Sequence, residues 1–589
     1  MSEEALLLWS EGSRCEIENA SKLVCFFGIP WRVLSVAEFL AIDGVGEGNA
    51  AKYRLICSAS TFLKVMPHLV KDSKAGDLWR NCVHSVFVFA GDDSAALLTL
   101  ARALAINGRV TLIERDRTDF VVSDKIEGIG DVMSGVRIQA SNRNVRYKLI
   151  CNPSNGGEGD VISAGDGAVF SKFEHRGIAV FVSTGDELTN VETELRTGIF
   201  DIRDHVAQAL PIVLYLKWAF RKTCWHAVET NACLIIDDPL LTPNYGFVNF
   251  PQLLSLMKQH RFSTNIAFIP RNWRRNDGAI IRLFKENPEV YSISVHGCDH
   301  IRAEFGDPNP RSLRSRSRQA LERMAHHEAN TGLRHDRVMV FPQGVFSEAA
   351  IGVLKHTNFI AAANNDTLSA DPCPRPIKVS DVWDVALMAY HNFPLFTRRY
   401  PWEGIENFAF DALLGKPMVA VIHHDFCSDQ CARLVTFIQS LNALKTNLRW
   451  TSLGGVARRS YKRRGMPGAV PEIEMYASEL TLENSSDEAT RYAIRRSESD
   501  PCSITSIQAG AQPTSARYRD GHIRFEIELE PRRSTIVRVQ FREVHHDEAE
   551  KKAFSTELRT TLRRRLCEVR DNYFMKYTPA FISQHFKVN

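Results

Sequence analysis

The sequence is poor in the features that would assign it to a membrane, an export route or a nucleic acid. Its first residues, MSEEALLLWSEGSR, carry two early glutamates and no basic stretch, and their apolar run is too short for a secretory leader. The longest apolar segment, residues 205–220, falls short of a membrane span. No lipidation signal stands at either end. The 13 cysteines are odd in number and scattered, unlike a secreted disulfide scaffold. Cys427-x-x-x-Cys431 is the one close pair, and it reads as reduced thiols. Together these absences point to the cytoplasm. A net charge of +4 over 589 residues gives no reason to invoke nucleic acid. The basic run Arg458 to Arg464 reads as a solvated interdomain surface, with an anionic glycan or lipid contact as the alternative. There is also no G-x-G-x-x-G, no P-loop and no nucleophile elbow.

What is present is a long chain of ordinary globular composition, 44% hydrophobic and 24% charged. That length calls for about two to four domains. The expected fold class is multidomain α/β. Residues 1–215 read as a parallel-sheet α/β domain, Rossmann-like or amidotransferase-like but without a catalytic motif, with strands at 22–29, 54–59, 84–91, 147–153 and 178–184. A helix at 94–106 follows Gly91–Ser94, which is a capped turn or, less simply, a ligand crevice at a strand end. Residues 222–460 alternate strand and helix in a strict rhythm and predict a closed or partly closed β/α barrel. Short alternating runs in 466–545 predict a small β-sandwich. The tail, 546–589, starts charged and carries amphipathic spacing over 554–574. It reads as a packed surface helix, with an oligomer contact or a membrane-surface role as alternatives.

Four features close successive strands of the middle segment, and in a parallel barrel all such ends converge on one face. Asp237-Asp238 ends an apolar strand, where two carboxylates need pairing, hydrogen bonds or a metal. His296-x-x-x-His300 follows another, and two imidazoles with a carboxylate suit Zn²⁺ or a similar ion. Phe341-Pro342-Gln343-Gly344 makes a fixed turn whose backbone N–H groups can face the site. Val421-Ile422-His423-His424-Asp425 ends a late strand, and alternation lets only one of the two histidines point inward.

In this order the features resemble the polysaccharide deacetylase superfamily, the carbohydrate esterases with a NodB-type domain, over residues 234–453. The resemblance implies a distorted β/α barrel, a divalent metal, most commonly zinc, and removal of acetyl groups from N-acetylated sugars or a related small amide. It implies Asp237 as general base and Asp238, His296 and His300 as metal ligands. The N–H of Gln343 would hold the oxyanion, and His423 or His424 would be the general acid. Two positions depart from the family. Its arginine two residues before the turn proline is Val340 here, and Arg271, Arg274 and Arg275 are the candidates to replace it. Its acidic-tryptophan motif has Asp381-Val382-Trp383-Asp384 as the candidate, one of its acids supporting the catalytic histidine. Another metal-dependent glycan hydrolase, or an inactive glycan-binding scaffold, are the competing readings.

Overall fold

The computed structural model describes residues 3–575, except 12–13, 42–51, 70–75, 77–78, 80, 106–109, 117–118, 127, 141–145, 153–158, 466–468 and 545–553. The charged start of the tail lies outside the described residues.

The middle segment forms an eight-stranded parallel sheet. Its path runs Leu395–Thr397, Ala361–Asn364, Asp336–Val340, Tyr291–His296, Thr264–Phe268, Thr230–Asp237 and Met418–Ile422, with Leu448–Trp450 beside the start of Thr230–Asp237. A single bridge joins the two ends of this path. Arg399 donates its N–H to Val419 O and accepts from Val421 N, both at 2.9 Å. The sheet therefore curls into a barrel held along one seam by one residue.

Its strands are apolar on both faces because both faces are covered. Cys233, Ile235, Val338, Val340, Val419 and Val421 fill the inside. Leu234, Ile236, Ala420 and Ile422 pack outward against helices such as Phe250–His260, Gly278–Glu286 and Pro310–Thr331. Each of these helices starts at a side chain able to satisfy its free N–H groups: Asn249, Asp277 and Asn309. The alternation also sets the site, since residues two beyond an inward position point inward again.

The N-terminal sheet is mixed rather than parallel. Strands Trp31–Ser35, Glu3–Trp9, Lys52–Ser58, Val83–Phe89 and Ile178–Ser183 run parallel. From Gly167–His175 onward the pairing is antiparallel, and Arg146–Cys151 belongs to that part. The segment 22–29, expected as a strand, lies largely in helix Arg14–Phe26. Ile17, Ala20, Leu23, Val24 and Phe27 bury at helical spacing, a pattern that the short window over 22–29 conceals. The first strand is instead Glu3–Trp9. After Gly91, Asp93 accepts from Ala96 N and caps helix Ser94–Leu104, the simpler of the two expectations there.

Beyond the barrel, a six-stranded and a four-stranded sheet share one apolar cluster that includes Ile473, Ile494, Phe525, Leu480 and Val537. The basic run before them is paired rather than solvated. Arg458 binds Glu479, Arg459 binds Glu229 and Glu483, and Lys462 binds Asp384. Cys427 and Cys431 are both buried free thiols.

Candidate active site

Inward parity carries Cys233 and Ile235 to Asp237, Ser294 to His296, and Val419 and Val421 to His423. The same rule carries Phe396 to Arg398, two residues beyond it at the end of the short strand Leu395–Thr397. Arg398 is buried, and its Nη1 donates to both oxygens of Asp237, at 2.8 and 2.9 Å. Burial alone pushes the Asp237 carboxyl up. Arg398, then His296 and His423, outweighs burial and holds it below the ordinary carboxylate range.

Arg398 thus supplies the cation that Val340 does not. The three arginines expected in that role are engaged elsewhere. Arg271 donates to Asp299 and Glu557, Arg275 binds Glu568, and Arg274 lies over the Trp273 ring.

Asp238 Oδ1 stands 3.1 Å from His300 Nε2 and 3.6 Å from His296 Nε2. Ligand atoms of the three residues lie within 4.8 Å of one another. A tetrahedral ion with bonds of about 2 Å spaces its ligands by roughly 3.3 Å, which these two distances bracket. Asp238 Oδ1 is buried and has the two imidazole Nε2 atoms as its near polar neighbours, an arrangement that a cation would satisfy. His296 Nδ1 lies 2.9 Å from the Val340 carbonyl, so that nitrogen carries the proton and Nε2 keeps its lone pair toward Asp238. Burial pushes His300 down to about 3, which keeps the imidazole neutral, the form that ligates. The donor set and its spacing therefore fit a divalent ion such as zinc.

Backbone strain gathers here. Asp238, His300 and Gln343 have φ of 82°, 57° and 59°, each a left-handed conformation costing about 1–3 kcal/mol for a residue with a side chain. The loop between the histidines is over-determined by contacts. Gly297, at φ +63°, leaves no room for a Cβ, which would lie 2.4 Å from Pro342 Cγ and 2.5 Å from Glu304 Oε2. The Glu304 carboxylate accepts from the N–H groups of Cys298, Asp299 and His300 at 2.8–3.0 Å. Asp299 is clamped by Arg271 and Arg323. A second cluster, Cys298, Asp299 and Glu304, also has metal-type spacing, but these bonds already occupy its carboxylates. Glu304 was not singled out from sequence; a buried acid four residues after a metal-type histidine was its only trace.

The two late histidines part company. His423 is exposed at the rim, one residue past strand Met418–Ile422, which pairs beside Thr230–Asp237. His424 is buried between the Tyr245 and Phe247 rings, with its Nε2 3.5 Å from Asp571. Gly246 makes that seat available, since a Cβ there would lie 2.3 Å from His424 Nδ1. Asp381 and Asp384 do not reach either histidine. Asp381 caps the helix at Lys378, and Asp384 binds Lys462 and Tyr476, while Trp383 packs in the core on Phe26, Phe200 and Phe410. Gln343 is exposed at the rim, where its side chain accepts from Ala303 N.

Sequence spacing foretold the C-terminal helix Phe554–Val569 but not its seat, which lies across this mouth. Glu557 and Thr561 meet Arg271, Glu568 meets Arg275, and Asp571 accepts from Tyr245. Arg564, almost fully buried, places Nη1 3.3 Å from His300 Nδ1.

No family model matches the sequence, and no curated relative matches it. Solved structures similar to it include a carbohydrate deacetylase, Agd3, at 8% identity, covering 92% of this chain and 98% of that one with a TM-score of 0.46. A family 4 carbohydrate esterase from Streptomyces lividans is 13% identical over 38% of this chain and 92% of its own, with a TM-score of 0.24. The peptidoglycan N-acetylglucosamine deacetylase Bc1960 is 14% identical over 39% and 90%, also at 0.24. Scores below 0.5 leave activity and substrate to be argued from the residues.

Proposed function

We propose that the chain is a divalent-metal-dependent hydrolase that removes an acetyl group from the amide nitrogen of a sugar or a related small amide. The observation that carries this reading is the Asp237–Arg398 pair set beside Asp238, His296 and His300, with His423 at the end of the strand paired beside Thr230–Asp237.

Asp238, His296 and His300 would hold the ion, zinc by its donor set, which when bound polarises a carbonyl and lowers the pKa of water. Asp237, kept ionised by Arg398, would accept the proton of the attacking water. The backbone N–H of Gln343, on its strained turn, would donate to the oxyanion that develops on the carbonyl oxygen. His423 would protonate the departing nitrogen, because an amide anion is too poor a leaving group to depart unprotonated. Its exposure suits a group that must take up a new proton each cycle. Trp402, its ring 6.3 Å from that of Phe426, stands exposed and stacked on Tyr400 at 4.3 Å, a flat apolar surface suited to a sugar ring. The reading keeps a carbohydrate as the first substrate class. Among the described residues no helix is long and apolar enough to cross a membrane.

Metal analysis of the purified chain followed by acetate release from a panel of N-acetylated sugars tests this. About one divalent ion per chain is expected, lost in His296→Ala, with acetate release abolished in Asp237→Asn while the ion stays. A chain that binds no divalent ion overturns the site. Acetate release unchanged in Asp237→Asn overturns the role of that carboxylate.

A further inference from the structure

The C-terminal helix is amphipathic the wrong way round for a helix packed on a core. Its polar side faces the barrel: Glu557, Arg564, Glu568 and Asp571 are the groups that meet the mouth. Its apolar side faces out. Leu558, Leu562, Leu566, Val569 and Tyr573 are 42–63% exposed. At about 100° per residue the first four fall within an arc of roughly 80°, and Tyr573 follows in the wider turn Arg570–Phe574. Among the described residues no other element gathers more than two exposed large apolar side chains. Scattered singly they would need no explanation; aligned on one face they do.

Charge on this helix is sorted in the same sense. Arg559 and Arg563 flank one edge of the stripe, exposed; Arg570 beside them reaches Asp571, and Arg565 on the other edge reaches Glu568. The helix's acids do not share that face. Glu568 and Asp571 are buried against the barrel, and Glu557 is bound to Arg271. The outer face is thus apolar along its centre, with Arg559 and Arg563 carrying its net positive charge.

We propose that this face docks on an anionic lipid surface, the helix lying in the plane of the headgroups with its leucines among the upper acyl chains. The sorting of charge selects this occupant over a second copy of the chain. Two such faces brought together would oppose arginine to arginine, with no exposed acid of this helix to pair them. Phosphate and other anionic headgroups complement the arginines, and the bilayer covers the stripe. The reading does not rest on the deacetylase assignment, since it concerns binding and not turnover.

Co-sedimentation of the full chain with 100-nm vesicles tests it, using equal parts of phosphatidylglycerol and phosphatidylcholine against phosphatidylcholine alone. Binding at least about tenfold tighter to the anionic vesicles is expected, weakening several-fold as salt shortens the screening length from about 10 Å. Leu562→Asp with Leu566→Asp, and separately Arg559→Glu with Arg563→Glu, should each remove at least nine-tenths of it. All four positions are exposed, and an unchanged melting temperature verifies the fold. No binding by the wild-type chain overturns the proposal, as does equal binding to neutral vesicles or wild-type binding by either double variant. Concentration-dependent self-association abolished by the leucine variants, without vesicle binding, would assign the face to a second copy instead.

Discussion

Arg398 reaches Asp237 across 161 residues of sequence and meets both of its carboxylate oxygens with one nitrogen. Both groups are buried, so the pair is poorly screened by solvent and each partner depends on the other. Removing one partner of such a pair typically costs about 3–5 kcal/mol, because it strands a buried charge.

Arg398→Met is therefore expected to lower stability by an amount of that order and to change the pH dependence of turnover in a known direction. The arginine holds the Asp237 carboxyl below its ordinary range against the opposing effect of burial. Without it the carboxyl stays protonated to higher pH, and the acid limb of kcat/KM moves upward. Arg398→Lys should restore part of the shift, since it keeps the charge. An acid limb that stays in place in the methionine variant, with the fold intact, would show that Asp237 is not the base.

The two adjacent histidines should separate cleanly in kinetics. His423→Ala is expected to lower kcat by about 10²–10⁴-fold, the usual worth of a positioned acid or base, with KM little changed. His424→Ala touches no group of the acid–imidazole cluster. It empties the space between Tyr245 and Phe247 and removes the contact to Asp571. Its first effect should be on melting temperature and on protease sensitivity of the C-terminal helix. The reverse pattern would move the acid role to His424.

Much of this site was legible because it closes apolar strands. Unbroken apolar runs end in Asp237-Asp238, in His296 and in His423-His424, which marks the shared rim of a parallel barrel, while the choice between adjacent residues waits for the parity of the folded strands. Arg398 obeys the same rule, but its strand is only three residues long, preceded by Pro394, and too short to announce itself by period. The C-terminal helix was legible as a helix, yet its seat was not. Contacts such as Tyr245 to Asp571, 326 residues apart, leave no mark in either local pattern. The same limit explains residues 22–29, where a strand-like apolar run is the buried side of a longer helix.

Arg564 makes a prediction about metal affinity. An arginine only donates hydrogen bonds, so its contact at 3.3 Å requires His300 Nδ1 to accept and puts the ring proton on Nε2. Ligation through Nε2 requires the opposite tautomer. The docked arginine and the ion therefore compete for one imidazole, and the guanidinium adds a positive charge beside Asp238. Arg564→Ala should tighten zinc binding by about tenfold or more, equivalent to roughly 1.4 kcal/mol, measured by competition with a chromophoric chelator. Weaker binding in this variant would mean that the arginine organises the ligands instead of opposing the ion.

Acid sensitivity should trace in part to a histidine outside the site. His327 is fully buried on helix Pro310–Thr331, its ring against Phe268 and its Nε2 3.2 Å from Asn276. Burial pushes its pKa down from the ordinary 6.5 to about 4. The folded chain keeps the ring neutral in the range where the unfolded chain binds a proton. Stability from this group is present above about pH 6.5 and is lost as pH falls toward 4. The shift sets an upper bound of about 3 kcal/mol. Urea unfolding of the wild type between pH 7 and 4.5 should show the loss, and His327→Gln, which keeps a donor for Asn276, should flatten it. His226, also lowered to about 4 by burial, sits where the barrel meets the C-terminal sheets and would add to the same window. A slope unchanged in His327→Gln but removed in His226→Gln would place the acid-sensitive contact at that junction rather than under the barrel.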